Sequence, residues 1–177
     1  MPDKSSTISD TLFADDTLSV YTILDGASVP QLPQALYKQQ PEHICLYRGE
    51  LAPDMASVAP YLVHLQMNTE FTDWILREGW GKHWGIFLLS SADMRALRQH
   101  FRGLLTVYDP TSKPMLFRYY DPRVLRTFLP TCTTDELNSL FGPVASYLVE
   151  AEDGKMSRFS LSSGTLKRDA FALEEER

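Results

Sequence analysis

Apolar positions along this chain keep two rhythms that alternate. "LSVYTILDG" (18–26) is β-branched and aromatic and runs into Asp-Gly, which predicts a buried strand ending in a turn. "HICLYRG" (43–49), "YLVHLQM" (61–67) and "HWGIFLLSS" (83–91) predict three more strands. The last is apolar on both faces, as a central strand should be. Between them the period lengthens. Residues 29–40 read as a helix with Pro30 in its first turn. In 68–81, Phe71, Trp74 and Ile75 fall at i, i+3, i+4, with Asn68 or Thr69 as cap and Gly79 as stop. In 91–105, Met94, Leu97 and Phe101 fall at i, i+3, i+7 behind an N-cap at Ser91. The two prolines of 51–60 predict a loop there.

Further on, 104–110 and 114–122 flank the polar "TSK" and read as a hairpin. Helices follow at 122–130, opened by Pro122, and at 133–143, closed by Gly142-Pro143. A last hairpin at 145–161 turns on Asp153-Gly154. Alternating strand and helix predicts an α/β lobe with a partly parallel sheet flanked by helices, joined to a smaller α+β C-terminal lobe. The expected organisation is a flexible acidic arm at 1–16, the α/β lobe at 17–121, a small helical and hairpin lobe at 122–161, and a polar acidic tail at 162–177.

Composition narrows the function. Of 177 residues, 44% are hydrophobic, enough for a core. The formal charge of -6 argues against a general nucleic-acid or anionic-membrane binder. The N-terminus lacks the apolar stretch of a signal peptide and no apolar run approaches the length of a span, so a cytoplasmic protein is expected. Two cysteines and four isolated histidines have no metal-ligand spacing, and no glycine-rich phosphate loop occurs, so no cofactor is expected. "LLSSADM" (88–94) has a strand-to-helix turn without the glycines of a nucleophile elbow, which makes Ser90 and Ser91 caps. "EGWGKHWG" (78–85) could be an aromatic platform, but a helix end with Trp80 and Trp84 packed is the favoured reading.

The cations cluster. Arg95, Arg98 and Arg102 form a helical stripe, and Arg118, Arg123 and Arg126 follow. A solvated face with ion pairs to Asp93, Asp109 and Asp121 competes with a docking surface for an acidic segment. In "LFRYYDPRVLRTFLP" (116–130), Asp121 stands where an N-cap belongs. Phe117 and Tyr119 are expected to alternate with Arg118 and Tyr120 across a strand, with Arg118 paired to a carboxylate between the two halves of the chain.

Taken in order, "YTILDGA", "APYLVHL", "GWGKHWGIFLLSSADMRALRQHFRGLL", "LFRYYDPRVLRTFLP" and "LFGPV" resemble the type VI secretion effector-adaptor family, domain-of-unknown-function family 4123, over roughly 18–150. The resemblance implies a non-enzymatic cytoplasmic adaptor of Gram-negative bacteria, with a secreted effector and the VgrG spike as partners. Its signature falls on Asp25, Gly26, Pro60, Tyr61, Trp80, Gly81, Arg102, Phe117, Arg118, Tyr119, Asp121, Pro122 and Arg123. Candidate partner-binding residues are Arg95, Arg98, Arg102, Arg118, Tyr119, Tyr120, Arg123 and Trp80. Two other readings stay open: a small enzyme using Asp25, Ser90 and Arg118 at strand carboxyl ends, and a regulatory module binding an acidic ligand through the arginines.

Overall fold

The computed structural model describes residues 4–173. Among them nine strands and seven α-helices follow one another as α1 (Lys4–Leu12), β1 (Ser19–Asp25), α2 (Leu32–Gln39), β2 (His43–Cys45), α3 (Pro53–Val58), β3 (Pro60–Leu65), α4 (Glu70–Gly79), β4 (Gly85–Ser90), α5 (Met94–Leu104), β5 (Thr106–Tyr108), β6 (Pro114–Leu116), α6 (Pro122–Phe128), α7 (Thr134–Phe141), β7 (Ser146–Glu150), β8 (Met156–Ser162) and β9 (Thr165–Phe171). A short 3₁₀ turn, Leu129–Thr131, extends α6.

Seven strands form one sheet in the order β2-β3-β1-β4-β7-β8-β9, and every neighbouring pair is antiparallel. The expected parallel pairing is therefore wrong. The reason lies in the crossovers. β1-α2-β2 and β3-α4-β4 do join strands that run the same way. However, β3 stands between β1 and β2, and β1 stands between β3 and β4. Strand–helix alternation reports a crossover, but not that the strands it joins are neighbours.

Both faces of the sheet are covered, which explains the unbroken apolar run of β4. Tyr21, Ile23, Ile86 and Leu88 face Leu97 and Phe101 of α5, Leu125 of α6, and Leu137, Leu140 and Phe141 of α7. Their strand neighbours Val20, Leu24, Phe87 and Leu89 face Ile8 and Leu12 of α1, Leu32 and Leu36 of α2, and Phe71, Ile75 and Leu76 of α4. This is the two-residue period of a pleated strand with a core on each side. The helix caps follow the chemistry of their side chains. Thr69 accepts from Thr72 N–H, and Thr133 and Glu136 form a reciprocal capping box. α5 is capped by Asp93, not by Ser91.

Three other expectations change. The N-terminal arm is a helix from Lys4, docked through the fully buried Ile8 and Leu12 one turn apart. The 51–60 loop contains α3, with Pro53 at its start. The C-terminal segments make no sheet of their own: β7 pairs with β4, and the tail supplies β9 as an edge strand. The exposed Lys167, Arg168 and Asp169 on β9 discourage pairing along that edge. Glu174 to Glu176 lie outside the described residues. Among the described residues, no helix is long and apolar enough to cross a membrane.

Candidate functional site

Antiparallel order brings the ends of β1, β2 and β7 and the starts of β3, β4 and β8 to one end of the sheet. Positions as far as 93 residues apart in sequence bond there. Asp25 closes β1 opposite Pro60, the first residue of β3. Its buried carboxylate accepts from Ala27 N–H at 3.1 Å, Ser28 Oγ at 2.9 Å and Arg118 Nη2 at 2.5 Å. Gly26 follows because the chain presses on the α3–β3 junction. A Cβ there would lie 2.6 Å from the Ala59 carbonyl oxygen and 2.7 Å from that of Ser57. The Tyr61 hydroxyl donates to Ala56 O at 2.8 Å and fastens α3 to the same corner.

The 117–121 block is no strand. β6 stops at Leu116, and a turn closes from Asp121 N–H to Arg118 O at 3.0 Å. The expected alternation of faces therefore fails. Tyr119 and Tyr120 both point inward, 1% and 2% exposed. Tyr119 donates to Phe101 O at 2.9 Å and its ring stacks on Phe101 with centroids 5.6 Å apart. Burial pushes both phenols up, so they stay neutral. These two tyrosines back the surface from inside and do not form it.

Arg118 and Arg123 form it instead. Arg118 passes over the Tyr120 ring, and 44% of its side chain is exposed while it holds Asp25. Asp121 caps α6, as its sequence position indicates, accepting from Arg123 N–H at 2.9 Å. The Arg123 guanidinium then grips the same carboxylate through Nε at 3.0 Å and Nη2 at 2.8 Å, with 54% of the side chain still exposed. Burial opposes the charge on Asp121, but the hydrogen bonds from Arg123 outweigh it, so its carboxyl sits below the usual aspartate range. Two buried carboxylates thus hold two half-exposed guanidiniums in fixed orientations, and such forks recognise carboxylates well. Arg126 turns aside to Glu150 O, at 3.0 Å.

The arginine stripe on α5 divides. Arg102 Nη2 donates to Cys45 O at 2.9 Å and Tyr47 O at 3.2 Å, plugging the free edge of β2. Arg95 and Arg98 line an open groove of about 390 Å³ with Glu42, Ile44, Asp93 and Met94. The expected ion pairs with Asp93 and Asp109 do not form the stripe's counterpart. Asp93 caps its own helix, and Asp109 accepts from Thr111 N–H, Thr111 Oγ1 and Lys113 N–H in its own turn.

The segment from Trp80 to Trp84 is a packed re-entry. Trp80 stacks on Phe87 and Trp84 packs on Trp74. Gly81 sits at φ +83°, and its N–H donates to Glu150 Oε2 at 2.5 Å. His83 Nδ1 binds the other oxygen of the same buried carboxylate. Sequence reasoning missed Glu150 because nothing in "YLVEAED" marks a carboxylate that must reach 67 positions back. The β5–β6 hairpin was legible around "TSK", but not that its ribbon leaves Val107, Tyr108, Met115 and Leu116 exposed just before Arg118 in the chain.

The arrangement of Asp25, Ser90 and Arg118 as an enzyme site has no geometry to support it. Ser90 pairs with Ser19 at the start of β1, while Asp25 lies past the Leu24–Gly85 pair at the other end. Six residues of strand separate them by roughly 20 Å. Ser90 is buried, donating to Pro143 O at 2.6 Å and accepting from Ala92 N–H. That reading needed parallel strands sharing one carboxyl end, and the sheet has no parallel neighbours.

No curated protein and no solved structure matches the chain. A family model described as a domain of unknown function, DUF4123, matches residues 20–139. That span takes in Asp25, Gly26, Arg118, Asp121 and Arg123, and the chain belongs to this family.

Proposed function

We propose that this protein is an effector adaptor of a type VI secretion system. It holds a secreted effector in the cytoplasm of a Gram-negative bacterium and helps load it onto the VgrG spike. The resemblance of the "FRYYDPRVL" and "HFRGLL" blocks to that adaptor family motivates the choice of partner. The observation that carries a binding role is the sheet end itself. Arg118 and Arg123 are fixed by buried Asp25 and Asp121, and an exposed apolar ribbon lies next to them in the chain. Oriented guanidiniums following accessible Tyr, Met and Leu side chains in the chain supply the residue types of an interface centre.

The test is co-expression with the products of neighbouring genes, followed by affinity capture on a tag carried by this chain. Stable recovery of an effector fragment or a spike protein is expected. Recovery of neither, from soluble and folded protein, overturns the adaptor reading.

A further inference from the structure

The β5–β6 ribbon stands apart from the main sheet, and its two edges differ. Its register pairs Thr106 with Leu116, Val107 with Met115 and Tyr108 with Pro114. Phe117 N–H donates to Leu105 O and Asp109 N–H to Lys113 O, so the odd-numbered residues of β5 make the bonded pairs. Bonded and non-bonded pairs alternate in an antiparallel ladder. The N–H and C=O groups of Thr106 and Tyr108 therefore point outward along β5. On β6 the corresponding positions are Leu116 and Pro114, and proline has no N–H to offer. The β6 edge is blunted and the β5 edge is open.

Side chains on the ribbon are apolar and accessible on both faces: Val107 and Met115 on one, Tyr108 and Leu116 on the other. An isolated two-stranded ribbon gains little stability in water, and a third strand would complete it. The segment that carries it is basic in sequence although the chain is acidic. Residues 102–118 carry Arg102, Lys113 and Arg118 against the single carboxylate of Asp109, in a protein of formal charge -6. Asp109 is held by its own turn, Arg118 is paired with Asp25, and Arg102 faces carbonyls, so Arg102 and Lys113 are the cations of this segment without a carboxylate partner among the described residues.

We propose that the open edge of β5 accepts an extended segment of the partner as a third strand, with apolar residues at alternate positions and acidic residues at its ends. This deepens the adaptor reading and rests on it for the partner's identity. Main-chain bonds to Thr106 and Tyr108 would hold the segment. Val107 and Tyr108 would take its alternate side chains, and the cations would favour its acidic flanks.

The probes are two fluorescein-labelled peptides of about nine residues that alternate valine and threonine, one ended by aspartates and one by lysines. Fluorescence anisotropy against the full chain should show the aspartate-ended peptide binding about fivefold tighter, with the difference shrinking as salt is raised. Thr106→Pro should weaken that peptide about tenfold by removing one outward N–H. Because proline could disturb the ribbon, amide hydrogen exchange of the unaltered protein provides a second reading. The Thr106 and Tyr108 amides should slow on binding while the amide of Leu116 keeps its rate. Absence of binding by either peptide, slowing on β6 alone, or a stronger lysine-ended complex overturns the proposal. So does a concentration-dependent dimer that already protects Thr106 and Tyr108, because a second copy then fills the edge. If the peptide protects β5 but affinity capture recovers no effector or spike, the open edge stands and the adaptor reading falls.

Discussion

Arg118 Nη2 donates to Asp25 Oδ2 over 2.5 Å, although 93 positions separate the two residues in sequence. The bond ties the end of β1 to the turn before α6, so it joins the first strand of the sheet to the helical layer on one of its faces. Arg118→Ala removes the strongest partner of a buried carboxylate, but Ala27 N–H and Ser28 Oγ remain. With the guanidinium nearly half exposed, solvent screening limits the loss to about 1–2 kcal/mol, below the range for a fully buried pair. Asp25→Ala should cost more, because it also frees the turn that starts toward α2. Urea unfolding of both variants and the double variant checks this, and additive losses would show that the two side chains are not coupled.

Gly26→Ala tests the close approach at the same corner. Its Cβ would meet backbone oxygens that have no free rotamer to yield. A loss of about 1–3 kcal/mol is expected, the range for overpacking. Unchanged urea stability would mean that the α3–β3 junction moves freely.

His100 supplies a pH dependence. Burial lowers its pKa, while its Nε2 is 3.0 Å from the Leu140 carbonyl oxygen. A histidine with a depressed folded pKa contributes stability above its unfolded pKa, about 6.5, and loses it as pH falls through the folded value. Thermal unfolding of the natural protein minus that of His100→Gln should therefore show an advantage at pH 7.5 that shrinks below about 6.5. An advantage that grows on acidification contradicts the assignment.

Asp121 does the same at lower pH. Its depressed carboxyl contributes above the ordinary aspartate range of about 4 and loses that contribution below it. Arg123→Gln should narrow the stability gap between pH 5 and pH 3, as measured by circular dichroism melts at each pH.

The elements were largely legible and their assembly was not. Thr69, Asp121 and Thr133 cap their helices where a short polar side chain precedes an apolar period. β7 and β8 turn on Asp153-Gly154 as the hairpin pattern requires. Local chemistry decides these features. Sheet order is decided by long-range pairing, and the insertion of β1 between β3 and β4 leaves no local trace. α1 was hidden because only Ile8 and Leu12 mark its buried side within a polar stretch. At the sheet end, the sequence offered Asp25, Arg118, Asp121 and Arg123 but not the division of labour. Which aromatic residues back the surface depends on a turn at 118–121 that replaces the expected strand. Arg102 also proved to be an edge plug, since only the fold brings the carbonyls of β2 beside it.

The central claim is that the guanidinium-bearing sheet end is a partner surface built on a structural joint. Arg123→Glu separates surface from joint. Arg123 is more than half exposed and its carboxylate partner is two residues away, so the variant should keep its far-ultraviolet circular dichroism spectrum and its cooperative melt. The most direct measurement is affinity capture of the effector or spike protein by this folded variant beside the natural chain. The account predicts a folded protein that recovers about tenfold less partner. A folded variant that captures the partner as well as the natural chain does would contradict it.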